Sequence, residues 1–72
     1  AYEEDPAQTL AIEEALKKLE ELDPVKAEVV TLRYHAGLSV EETAGVLGIS
    51  TRTVESFWSF ARTWLYRELG GE

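Results

Sequence analysis

Fourteen carboxylates and a single histidine, His35, are the groups in this 72-residue chain whose chemistry runs at moderate pH. Their spacing does not assemble a catalytic site. Glu13–Glu14 and Glu41–Glu42 are adjacent pairs within helical patterns, so their side chains diverge by roughly 100° and cannot share a proton. Serine, histidine and aspartate all occur, but no nucleophile elbow and no glycine-rich phosphate loop surrounds them. His35 has neither a cysteine nor a second histidine to complete a zinc site. It is expected as a partly buried, hydrogen-bonded histidine. A domain this small also has little room for a deep pocket. The chain is therefore expected not to be an enzyme, with no cofactor and no metal.

Informative spacing lies instead in LSVEETAGVLGISTRTVESFWSFA, residues 38–61. Ser39 precedes an apolar run and has Glu42 three positions later, the reciprocal arrangement that satisfies free amides at a helix start. Val40, Ala44 and Leu47 fall on one helical face. Gly48 supplies a left-handed stop, which costs glycine no Cβ clash. Ile49 is the apolar plug of the turn, and Ser50 or Thr51 caps the next helix. Val54, Trp58, Ala61 and Leu65 then continue at spacings of four, three and four. Small Ala44 permits close helix approach. The pattern is a helix-turn-helix over about 39–62, a form that can place one helix in a DNA major groove.

The elements that must carry this unit are also legible. Asp5–Pro6 and Asp23–Pro24 are each a cap followed by proline at the first helical position, where its missing amide costs nothing. Four helices are expected over about 6–22, 24–36, 40–47 and 51–69. The first should bury Ile12, Ala15, Leu16, Leu19 and Leu22, with Glu13–Lys17 and Glu14–Lys18 pairing along its surface. Val25, Val29, Leu32 and Ala36 should line the second, which Gly37 ends. Phe57, Phe60 and Trp64 form a second apolar row on the fourth, with Phe60 and Trp64 expected to pack. Gly70 and Gly71 release the end. The fold class is all-α: one small four-helix domain spanning 1–72, without strands or a wing.

Bulk composition narrows the function classes. The net charge is −7, which opposes generic nucleic-acid binding. The load is uneven: residues 1–30 hold nine acids against three lysines, whereas 31–72 hold five acids against four arginines. The acids, Glu3, Glu4 and Asp5 among them, thus gather away from the helix-turn-helix. No cysteine is present, so no disulfide supplements the core. No signal-like or membrane-length apolar run occurs, and a cytoplasmic protein without membrane contact is expected. The chain opens on Ala1 rather than methionine, as an excised domain would.

From Leu22 to Leu69 the sequence resembles region 4 of extracytoplasmic-function bacterial sigma factors. The matching text is LDPVKAEVVTLRYHAGLSVEETAGVLGIS, then TRTVE, a tryptophan, FAR and WLYREL. The resemblance implies a minus-35 promoter-recognition domain acting in transcription initiation. Its implied partners are promoter DNA, the flap region of core RNA polymerase, and anti-sigma proteins that mask the same surface. Carried over by position, Thr51, Arg52, Glu55, Ser56 and Ser59 face the major groove. Arg52 is placed to pair with a guanine edge or a phosphate, and Ser39 and Thr43 to meet backbone phosphates. Arg33 and Arg62 are expected as ion-pair partners within the fold.

Departures from that pattern support an alternative. Relatives carry basic residues across the stretch held here by Glu55, Ser56, Phe57 and Ser59, and loss of cations weakens phosphate attraction for every sequence. Gly45 stands inside a helix where relatives carry a larger polar residue. Gly45, Ser56 and Ser59 offer room for Phe57 of a second chain. The alternative is a protein-interaction or self-associating module, natural or engineered, a two-fold homodimer being its simplest form.

Overall fold

The computed structural model describes the backbone over residues 6–70 and side chains over 10–70. The Asp5 cap, the acids Glu3 and Glu4, and Gly71 lie outside these. Four α-helices run in order: α1 (Pro6–Leu22), α2 (Pro24–Val30), α3 (Val40–Leu47) and α4 (Thr51–Glu68). The described residues contain no strand. The bounds of α1 and α3 are those the caps and stops imply, and α4 closes one residue short of Leu69.

Local chemistry sets each junction. The Asp23 carboxyl accepts from the Lys26 amide at 3.3 Å and starts α2, with Pro24 at its first position. At α3 both halves of the capping box form: the Glu42 amide donates to Ser39 Oγ at 3.0 Å, and the Ser39 amide to Glu42 Oε1 at 2.9 Å. Gly48 closes α3 with φ 68°, in the left-handed region. Ser50, rather than Thr51, caps α4 by accepting from the Thr53 amide at 3.1 Å.

One element departs from the expected course. The second helix is regular only to Val30, and Thr31–His35 continues it as a π-helical turn before Gly37 (φ 72°) breaks the chain. The wider turn changes the register of everything after Val30. Leu32 is half-buried, while Ala36 and Val25 are exposed rather than inward-facing. Ala27 and Val30 are buried in their place. His35 is exposed at the end of this turn, edge-on to the Tyr34 ring at 5.1 Å, and is not the partly buried histidine the sequence suggests.

Two buried clusters make the core. Leu16, Leu19, Ala27, Val30 and Ala61 join α1, α2 and α4; Val29, Ala44 and Val54 join α2, α3 and α4. Trp58 packs against both. Ala27 and Ala61 are small enough to let three helices converge, which selects the Ala27/Val30 face of α2 over the Val25/Ala36 face. Leu22 is exposed at the tip of α1. Phe60 is 52% exposed, since the inward direction beside it belongs to Ala61; Trp64 packs as expected. The ion pairs within described residues are Lys18–Glu68 (2.6 Å), tying α1 to α4, and Lys26–Asp23 (2.7 Å). The expected Glu13–Lys17 and Glu14–Lys18 pairs are not among them.

Candidate nucleic-acid interface

Helix α4 has an unambiguous inside. Val54 and Ala61 have no exposed surface, and Trp58 between them is half-buried. That fixes the opposite side. Thr51, Arg52, Glu55, Ser56 and Ser59 are all exposed; the last four share the face turned away from the core, and Thr51 stands at the first turn of the helix. The only cation in this row is Arg52, which has no salt bridge among the described residues.

The neighbouring helix contributes less than expected. Ser39 is half-buried and committed to the capping box, where its oxygen accepts and its proton stays free to donate. Thr43 is fully enclosed, at 0% exposure. Its hydroxyl cannot reach a phosphate, and that expected role falls. Gly45 lies on the open side of α3, with nothing within 4 Å of the place a Cβ would occupy. Phe57 is half-buried against the Val29, Ala44 and Val54 cluster of its own chain rather than standing outward.

Cations line the back of α4. Lys26 Nζ lies 4.5 Å from the centre of the Phe57 ring and 4.9 Å from that of Phe60. The same Nζ is held by Asp23, and this hydrogen bond lowers the Asp23 carboxyl below its ordinary pKa, helped by the Lys26 amide. Arg33 and Arg62 approach the Trp58 ring at 5.2 and 5.7 Å. Arg33 also donates from Nη1 to the Leu38 carbonyl at 2.8 Å, and its buried Nε has no partner. Neither arginine forms the ion pair expected of it; both face an aromatic ring instead.

A second surface escaped sequence reading. Ile12, Val30, Tyr34, Trp58, Arg62, Leu65, Tyr66 and Leu69 enclose an open groove of about 430 Å³ between α1, the π turn and α4. Its walls are almost wholly apolar, and no carboxylate lines it. Tyr34, Tyr66 and Leu69 are exposed at its margins. The available signal was that these three residues fall outside every inward stripe yet are large and apolar.

Among the described residues no three of His, Cys, Asp or Glu converge. No helix among them is long and apolar enough to cross a membrane. A family model described as ECF sigma factor matches residues 1–71. No curated protein and no solved structure matches the chain.

Proposed function

Because the chain belongs to the ECF sigma factor family, whose members are transcription-initiation factors rather than enzymes, we propose that it is the promoter-reading domain of such a factor. The site read is the minus-35 element. One observation carries this reading: Arg52, Glu55, Ser56 and Ser59 form an exposed row at the leading half of α4 on the side turned from fully buried Val54 and Ala61, with Thr51 exposed at the first turn. In a helix-turn-helix the leading end of the second helix enters the major groove, and the first helix crosses the backbone. Arg52 then reaches a guanine edge or a phosphate, and the hydroxyls of Thr51, Ser56 and Ser59 bond to base edges or sugar-phosphate. Ser39, at the start of α3, donates its free hydroxyl proton to a phosphate.

With net charge −7 and one cation in the row, intrinsic DNA affinity is low. A tether to polymerase overcomes this by raising the local concentration of the reading helix. The apolar groove supports that role: its exposed Tyr34, Tyr66 and Leu69 offer the polymerase flap region an apolar docking surface. An anti-sigma protein covering either surface would silence the factor. The self-associating alternative keeps Gly45, Ser56 and Ser59 as an open surface, but its key residue, Phe57, already packs at home.

The test is a titration of a labelled minus-35 duplex at several salt concentrations, with and without core polymerase and with the mass of the species recorded. Expected are weak, salt-sensitive binding by the monomer and tight binding with polymerase. Arg52→Ala should weaken binding by about 1–3 kcal/mol if Arg52 reads a base, or reduce the salt slope by about 1 if it holds a phosphate. Leu69→Asp should abolish the polymerase-dependent gain alone. Concentration-dependent dimers indifferent to DNA would reject the proposal.

A further inference from the structure

We infer that Lys26 is a positioning residue for the reading helix: with Arg33 it grips three aromatics of α4 and sets which side chains α4 presents to DNA. The inference rests on α4 being that helix. Lys26 stands in the first turn of α2 and Arg33 in the π turn that continues it. Lys26 faces Phe57 and Phe60, and Arg33 faces Trp58, the residue after Phe57.

The grip is needed because the buried line of α4 is built at two of its points from Val54 and Ala61. Larger side chains at those two points would resist small rotations about the helix axis more strongly. A cation over a ring face is directional by comparison. Its anchorage is also firm: Asp23 holds Lys26 Nζ at 2.7 Å while capping the first turn of α2. A rigid path therefore runs from the α2 cap through Lys26 to Phe57, next to Ser56 and two places from Glu55 and Ser59. Phe57, anomalous for the family, has its explanation here as the ring that Lys26 holds.

The experiment compares the full chain with Lys26→Met and Lys26→Arg. Affinity is read for a minus-35 duplex and a scrambled duplex, and backbone amide shifts over 54–61 by NMR, below the melting temperature of each variant. Loss of a positive charge alone weakens both duplexes equally. Lys26→Met should instead lower the ratio of the two affinities by about five-fold, the worth of one partly shielded cation–π contact. It should also move the Glu55–Ser59 amides, and Lys26→Arg should restore both. A folded Lys26→Met protein with unchanged ratio and unmoved amides overturns the inference. Should the parent chain fail to discriminate the duplexes, the promoter-reading proposal falls, and the amide shifts alone decide whether Lys26 sets the helix.

Discussion

Thr43→Val is expected to stabilise the domain and leave DNA binding unchanged. Thr43 is completely enclosed on the inner face of α3, and its hydroxyl oxygen has no hydrogen-bond partner. In the unfolded chain that hydroxyl is hydrated; folding strips the water and returns nothing. Such an orphaned group costs about 1–3 kcal/mol. Valine has nearly the same shape, the same β-branching and a similar helix propensity, so it removes the orphan without opening a cavity. A net gain of about 1–2 kcal/mol follows. For a domain of this length each kcal/mol moves the melting temperature by about 4–8 °C, so a rise of roughly 5–15 °C should appear in thermal melts followed by circular dichroism. The duplex titration should superimpose on that of the parent. A lower melting temperature would show that the hydroxyl has a partner and refute the energetic argument. Weakened DNA binding by a fully folded variant would return Thr43 to the interface.

Gly45 within α3 and Gly48 at its end should respond with opposite signs. Gly48→Ala forces a side chain into a left-handed backbone (φ 68°) and should cost about 1 kcal/mol, although the space is open. Gly45→Ala, within the helix and equally open, should gain about 0.5–1 kcal/mol; paired urea titrations compare them. Acid should loosen the start of α2. The Asp23 carboxyl is lowered by its Lys26 bond, so its contribution is complete above the ordinary carboxylate pKa of about 4 and fades as pH falls through the depressed value. Asp23→Asn should flatten that part of the stability profile below about pH 4. Lys18 has the opposite sense: its bond to Glu68 raises its pKa, so the stability from the α1–α4 tie is complete below the ordinary lysine pKa and is lost as pH rises through the elevated value.

Punctuation was the most readable part of the chain. Proline at positions 6 and 24, the Ser39/Glu42 box and Gly48 specify helix ends by local chemistry that needs no tertiary partner, and those ends stand where the residues place them. The inner face of the second helix was not readable, because Val25, Ala27, Val29, Val30, Leu32 and Ala36 fit two apolar stripes equally well. The choice depends on how closely α1 and α4 approach Ala27, a tertiary fact, and the π turn then shifts the register beyond Val30. On α4, exposure of Arg52, Glu55, Ser56 and Ser59 follows from periodicity alone, and that of Thr51 from its place at the helix start. Burial of Thr43 does not, since threonine suits either environment, and the contacts of Lys26 and Arg33 with the aromatics of α4 join residues more than twenty positions apart.

Trp58 has a consequence for how this domain comes apart. Each of the two apolar nuclei is only a handful of side chains, far too few to hold a chain against its own entropy. A single indole spans them, so neither half persists without the other and melting should be all-or-none. The half that lines the groove and the half that carries the exposed row of α4 consequently share one fate. A lesion that unseats the indole should silence both at once, whereas surface changes can separate them.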